Sequence, residues 1–489
     1  MDGCAIEPDA IGSARALRNP MSIEAKVAAL AAATLAIAIQ TLWIPIDADV
    51  SWLITVCERV LSGDRLYIDI LEVNPPASVW LYLPLVWLAK TIGTRPEAVV
   101  AAGFVAGGLA SAFTTLRIAS RLDVPRARPF LACALPFIAL VLPMALFAQR
   151  EHAAVLLALP VLAAVAVIAE GGRLNRRAVA ASGFAAGLIV IIKPYFLLAV
   201  AIPALWTAWK RRSVTPLVPG LIAGGLAIAL YVAGILLFAP AYLAWLPVIA
   251  HTYGPMHESW WKLLLAPTFY PAICIGLLMM LRPDKVPVLA MSWILGAAGF
   301  LLATFAQAKN YPNHLLPEAA LALAAAAAVL DLPGVVRGRR LPVSLALAFV
   351  GACQMYQWVI LPDPAVASAI KRVAPPTPSM IALSPQLTTG HPVTRNVDGR
   401  WVGSRAGLFT ASGAAHAGLK DPIARDAYRE DVDSFGRDVA AHSPDVVLVS
   451  RAAKKSLMRE PSIAAAMSPY RPAAVTKDTE VWVRRSLKR

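Results

Sequence analysis

The sequence predicts a mainly α, polytopic membrane protein with about eleven transmembrane helices, outer juxtamembrane helices and a small C-terminal α/β soluble domain. Three observations predict it. The 489 residues are 58% hydrophobic and only 15% charged, with a mean hydropathy of +0.62, whereas soluble domains usually carry about 25% charge. Apolar runs of about 20 residues, long enough to cross a bilayer, recur from Ala25 to Pro362. The basic residues are gathered into short loops between alternate runs.

A net charge of +15 raises nucleic acid as a partner, but the distribution excludes that reading. Five short loops carry Arg117/Arg121/Arg126/Arg128, Arg173/Arg176/Arg177, Lys210/Arg211/Arg212, Arg282/Lys285 and Arg337/Arg339/Arg340. Short loops rich in Lys and Arg stay on the cytoplasmic side, so the basic excess is a topology signal. The cysteines are Cys4, Cys57, Cys133, Cys274 and Cys353, with no CxxC among them. They read as small buried apolar residues, neither a disulfide framework nor a zinc site.

Taken in order, residues 1–23 form a cytoplasmic tail. The first run, Lys26 to Pro45, is too long for a signal-peptide core and reads as a retained helix. A long outer segment, 47–96, follows, with helices expected at Val50–Leu61 and Pro76–Lys90 lying at the membrane surface. Further spans are expected at 97–116, 129–147, 153–170, 178–192, 194–209, 214–238, 264–281, 286–306, 314–331 and 341–361. An odd number of spans puts the C-terminus outside. The loops 47–96, 148–152, the hairpin at Lys193, 239–263 and 307–313 then share the outer face and hold the unusual polar residues. Residues 363–489 have the composition of a soluble domain. Strands are expected at Met380–Leu383, Val446–Val449 and Val481–Val483, and a helix at Ile423–Ala441.

The first outer loop reads Asp47-Ala48-Asp49, then Gly63-Asp64-Arg65-Leu66-Tyr67-Ile68-Asp69, then Glu72-Val73-Asn74-Pro75-Pro76. A carboxylate just past an apolar helix sits where a lipid head group lies and can take a proton from an attacking hydroxyl. The plain structural alternative makes Asp49 a helix N-cap. The second outer loop reads Gln149-Arg150-Glu151-His152, and charges at a membrane edge are functional candidates; Arg150 pairing with Glu151 is the bland alternative. Lys193-Pro194 tops a hairpin, as a phosphate ligand or as a snorkelling anchor. The segment Lys309-Asn310-Tyr311-Pro312-Asn313-His314 opens a late span, with His314 either a ligand or an interfacial residue. Trp245, Trp260 and Trp261 read as an aromatic belt ahead of sugar stacking. No HExxH, Walker loop or dinucleotide fingerprint occurs, and the Ala- and Gly-rich spans read as close helix packing.

Four of these motifs, in this order and on one face, resemble the GT-C glycosyltransferases. They are Asp49, Gly63-x-x-x-Tyr67-x-Asp69 with Asn74-Pro75-Pro76, Arg150-Glu151, and Lys193 with the Tyr311–His314 segment. More narrowly they look like the protein O-mannosyltransferase and lipid A aminoarabinose transferase branch, family 39. The resemblance covers the chain to about Pro362 and makes 24–362 the catalytic domain of a bacterial inner-membrane enzyme.

The resemblance implies a polyprenyl-phosphate sugar donor, a lipid, polysaccharide or protein acceptor, and hexosyl or pentosyl transfer on the periplasmic face, where the 363–489 domain would also lie. It implies an aspartate of the first loop as general base. The family's acidic pair is often Asp-Glu, whereas here Val50 follows Asp49 and Asp47 precedes it. Asp49 and Asp47 are therefore both catalytic candidates, with Asp49 favoured by its spacing to Gly63. Lys193 and Arg150 would hold the donor phosphate, Glu151 and Asp69 would orient the sugar or a divalent metal ion, and Tyr311 and His314 would complete the substrate site. Need for a metal is left open. A flippase of lipid-linked sugars or a polysaccharide ligase or polymerase is the alternative function.

Overall fold

The computed structural model describes residues 23–43, 46–122, 128–264, 286–309, 311–332, 341–348, 351–352 and 363–487. The expected span at 264–281 and part of the one at 341–361 lie outside these residues. The helices are α1 (Ile23–Ala38), α2 (Ala48–Val60), α3 (Leu83–Ile92), α4 (Pro96–Ala119), α5 (Pro129–Leu140), α6 (Arg150–Glu170), α7 (Arg176–Ile192), α8 (Leu197–Arg211), α9 (Val218–Phe238), α10 (Ala241–Thr252), α11 (Val288–Gln307) and α12 (Pro312–Leu330). After residue 362 come α13 (Pro364–Val373), α14 (Phe409–His416) and α15 (Pro422–His442).

Among the described residues, six helical segments are long and apolar enough to cross a membrane: Ile23–Leu42, Pro96–Ala119, Arg150–Glu170, Thr215–Phe238, Val288–Gln307 and Pro312–Leu330. The expected spans at 129–147, 178–192 and 194–209 appear as α5, α7 and α8, of 12, 17 and 15 residues. Each is shorter than the roughly 20 residues that match a hydrocarbon core. Helices form at both expected surface segments, as α2 and as the pair Ala77–Trp80 and α3.

The core of the bundle is α6 and α12, whose apolar windows are 83% and 89% buried, against 11% for Thr215–Phe238 at the periphery. Small side chains let the helices approach. In α1 the buried positions are all alanine, Ala25, Ala29, Ala32, Ala33 and Ala36, and this stripe packs on α5 and α4. Helices α7 and α9 meet through Gly183 and Gly187 against Gly220 and Gly224; a Cβ added at Gly183 would lie 2.0 Å from the Gly220 carbonyl oxygen. Two facing small-xxx-small rows are a packing device of membrane helices.

The C-terminal region is built on a five-stranded mixed sheet of β1 (Ser379–Leu383), β2 (Arg400–Trp401), β3 (Val446–Ser450), β4 (Tyr470–Val475) and β5 (Thr479–Arg484), in the order β2-β1-β3-β5-β4. The pairs β2–β1 and β1–β3 are parallel; β3–β5 and β5–β4 are antiparallel. Strands β1 and β3 are buried along their whole length, which explains why continuous apolar runs revealed them. Two-residue β2 and the half-exposed β4 lack such a run. Helices α14 and α15 pack on α10 of the bundle, closely enough that a Cβ at Gly413 would meet the Thr252 carbonyl oxygen at 2.3 Å.

Candidate active site

The polar residues singled out in the sequence, Asp69 excepted, lie at helix ends that share one end of the bundle, and Gln307 joins them. Asp47 and Asp49 open α2 just after the first span, Arg150 and Glu151 open α6, Lys193 follows α7, Gln307 closes α11, and Asn313 and His314 open α12.

The two aspartates have different tasks. Asp47 is the N-cap of α2: its Oδ1 accepts from the Asp49 amide at 2.8 Å and the Val50 amide at 3.4 Å. These bonds satisfy amides that the first turn of a helix leaves without partners. The N-cap role expected of Asp49 thus belongs to Asp47, two residues earlier. Asp49 sits within the first turn, and among the described residues no hydrogen bond or ion pair reaches its carboxylate. It faces the charges of Arg150, Glu151 and Lys193.

Glu151 organises that cluster. It is fully buried, and its Oε1 lies 2.5 Å from the Lys193 Nζ and accepts from Asn313 Nδ2 at 2.8 Å. Lys193 also reaches Gln307 Oε1 at 3.5 Å. Glu151 Oε2 and His314 Nδ1 are buried without a partner among the described residues. Arg150 does not pair with its neighbour in sequence; its Nη1 donates to Ser78 Oγ at 3.0 Å. Adjacent helical residues point about 100° apart, so Glu151 and Arg150 are served by different elements. His314 lies within electrostatic range of Lys193, Glu151 and Arg150, and its ring meets Tyr311 edge-on at 5.6 Å. Tyr311 is partly exposed and within range of Asp49.

The first-loop motif forms the turns that follow α2. Gly63 has φ 111°, a conformation L side chains avoid, and nothing lies within 4 Å of where a Cβ would go. Glycine is needed there for its backbone alone. Tyr67 has φ 66°, held by its hydroxyl donating to the Asn74 carbonyl at 2.5 Å and its amide to the Ile70 carbonyl at 2.8 Å. Asp69 is not brought to the cluster. Its carboxylate is taken by Arg65, with bonds of 2.8 and 3.0 Å to the guanidinium; that pairing holds it at about 2, below the usual carboxylate value.

Glu72, quoted in the motif but given no role, is the acid the loop buries instead. It accepts from Trp52 Nε1 at 2.5 Å and from the amide and side chain of Asn74 at 2.8 and 2.5 Å. Glu318 was missed altogether. It is 1% exposed, and its Oε2 has no partner among the described residues. It stands one turn beyond His314, a spacing in the sequence that could have drawn attention to it. Lys309 is not free for a ligand, because its Nζ donates to the carbonyls of Tyr253 and Met256 at 2.6 Å each. His152 is structural: its ring bridges the Ala148 amide and the Ala139 carbonyl. Trp260 and Trp261 are exposed, while Trp245 donates to the Tyr67 carbonyl at 3.3 Å.

Desolvation, followed by the charge of Asp49, pushes the Asp47 carboxyl up to about 7, and desolvation also raises Asp49. A carboxylate raised toward neutrality is a better proton acceptor than one at its ordinary value. Among the described residues, no group of three His, Cys, Asp or Glu side chains is arranged to hold a metal ion.

No family model matches the chain, and no curated protein matches it in sequence. Solved structures do. ArnT from Cupriavidus metallidurans bound to undecaprenyl phosphate superposes with a TM-score of 0.58 at 14% identity, over 94% of this chain and 97% of that one. The apo state of the same protein gives 0.56 at 15% identity, over 97% and 98%. These solved structures are of the GT-C class that the sequence motifs resemble. The match takes in both the helical bundle and the C-terminal sheet, and among the described residues six helices are long and apolar enough to cross a bilayer. The chain is a membrane protein with the fold of the GT-C glycosyltransferases.

Proposed function

We propose that the protein is a glycosyltransferase that moves a hexosyl or pentosyl unit from a polyprenyl-phosphate donor to an acceptor hydroxyl on the periplasmic face of the bacterial inner membrane. The observation that carries this reading is the unequal pair of aspartates. Asp47 spends its carboxylate on the helix cap, while Asp49 is held beside two cations with no hydrogen-bond partner among the described residues. The acceptor is a lipid, polysaccharide or protein. The undecaprenyl phosphate bound by the ArnT structure motivates the lipid chemistry of the donor.

In this reading the donor phosphate docks near Lys193 and Arg150. Lys193 has three donor hydrogens, and its bond to Glu151 leaves capacity for a phosphate oxygen. Asp49 accepts the proton of the acceptor hydroxyl as that oxygen attacks the anomeric carbon from the face opposite the phosphate. The bond between the anomeric carbon and the phosphate oxygen breaks, the configuration inverts, and polyprenyl phosphate leaves with the bonding electrons. The leaving oxygen gains charge in the transition state, and the two cations stabilise that charge. Glu151 keeps Lys193 extended toward the site, and Tyr311 and His314 close the side formed by α12.

Two experiments test it. Mass analysis of envelope glycolipids and polysaccharides should find a hexose or pentose increment with the wild-type gene that is lost with Asp49→Asn; identical glycans contradict the reading. A reporter active only in the periplasm should be active when fused after Pro362 and silent near Arg211. Activity at both positions removes the periplasmic assignment.

A further inference from the structure

The C-terminal domain grips α2 from the side away from the site. Nine residues separate Glu58 from Asp49, and at about 100° per residue the two side chains leave the helix on opposite faces. On that rear face Arg395 donates to both oxygens of Glu58, at 2.8 and 3.0 Å, and to Glu97 at 2.5 Å. It is 11% exposed. The fork therefore joins α2, the start of α4 and the C-terminal domain in one bidentate arrangement, the geometry that makes guanidinium–carboxylate pairs directional.

Other contacts run along the same seam. Ser51 Oγ and His391 Nδ1 are 3.2 Å apart. The Trp52 ring stands edge-on to His391 at 5.3 Å and to Trp401 at 6.3 Å, while its Nε1 donates to Glu72. Arg59 donates to the Gly403 carbonyl at 2.6 Å, and the Leu71 amide donates to that of Ser404 at 2.8 Å. Beside the fork lies a cavity of about 500 Å³ lined by Thr55, Glu58, Arg395 and Arg400 among others. Cutting the fork would leave α2 room to shift.

We propose that the C-terminal domain sets the position of Asp49 through this grip, with Arg395 as a positioning residue for the transfer reaction. The proposal rests on Asp49 being the base. The domain does more than cover loops: its bidentate fork is made to the helix that carries the base. A displacement of about 1 Å can lower a rate about 100-fold, so a helix held from behind by one directional fork is a sensitive point.

The test uses the full-length protein in nanodiscs, with rates read as undecaprenyl phosphate released from lipid-linked sugars extracted from the envelope. Arg395→Met and Glu58→Gln should each lower kcat about 10–100-fold with donor KM unchanged. Binding of undecaprenyl phosphate itself should not change, because Lys193 and Arg150 belong to other elements. Hydrogen exchange should rise in residues 48–60. Either substitution added to Asp49→Asn should cause no further loss, since both act through one group. If Arg395→Met fails to fold, Glu58→Gln reads the same fork from the helix. A lowered melting temperature with wild-type kcat in both variants makes the fork domain glue and overturns the proposal while leaving the base intact. Wild-type turnover in Asp49→Asn overturns the base, and the proposal with it.

Discussion

The two ends of the helical bundle use the same charged residue types under opposite conditions. At the basic end Lys210 pairs with Glu170 at 3.0 Å, with the side chains 35% and 48% exposed, and Arg121 rests on the Arg173 carbonyl at 3.4 Å. At the other end Lys193 and Glu151 are 13% and 0% exposed, and Arg150 and Lys309 are buried at 6% and 5%. Solvated charges cost little and mark topology. Buried ones must be compensated by partners, and at this end the partners come from distant segments: Ser78 for Arg150, Asn313 for Glu151. A chain that keeps so expensive an arrangement at a membrane edge has a use for it.

That contrast can be broken in measurable ways. Glu151→Ala strands Lys193 in a dry site and should cost about 3–5 kcal/mol of stability, whereas Glu170→Ala at the exposed pair should cost about 0–1 kcal/mol. Unfolding of the two variants in one detergent compares them directly, and equal losses would abolish the distinction between the ends. Lys193→Ala removes a charge-assisted hydrogen bond worth about 1.5–3 kcal/mol, so the donor KM should rise roughly 10–100-fold while the protein still inserts. Unchanged kinetics would return Lys193 to an anchor.

The smallest expected effect is on pH dependence. Asp49 must be ionised to accept a proton, and its affinity for protons is raised by desolvation. Turnover should therefore rise with pH on the acid side. Asp47 is raised to about 7 by desolvation and by the charge of Asp49. The charge of Glu151 also raises Asp49, so Glu151→Gln removes a neighbouring negative charge, makes Asp49 easier to ionise, and should move the acid limb to lower pH. A limb that moves to higher pH would contradict this electrostatic account.

The long apolar helices, the buried strands and the gathering of the polar motifs at one end were legible because each is a local pattern: hydropathy, period and loop charge. Partnership was less legible, because it depends on tertiary neighbours. Asp69 is the exception: its partner Arg65 stands only four residues earlier in sequence, and the family motif drew attention away from that local pair. Glu318 carries no motif of its own, and the partners of Glu72, Trp52 and Asn74, are set by how the loop folds back on α2. The grip of Arg395 joins residues more than three hundred positions apart, and no spacing rule reaches that far. Strand β2 is two residues long, below any periodic signal.

The central claim is that one aspartate of the pair accepts the proton and the other holds the helix. Turnover of Asp49→Asn and Asp47→Asn, measured side by side with the same lipid-linked donor, tests it most directly. A placed general base contributes about 10²–10⁴-fold, so Asp49→Asn should fall by about that factor with donor binding unchanged. Asp47→Asn, which keeps an oxygen to accept from the α2 amides, should cost far less. Wild-type turnover in Asp49→Asn alongside an inactive Asp47→Asn would reverse the assignment, and full activity in both would contradict the transfer mechanism itself.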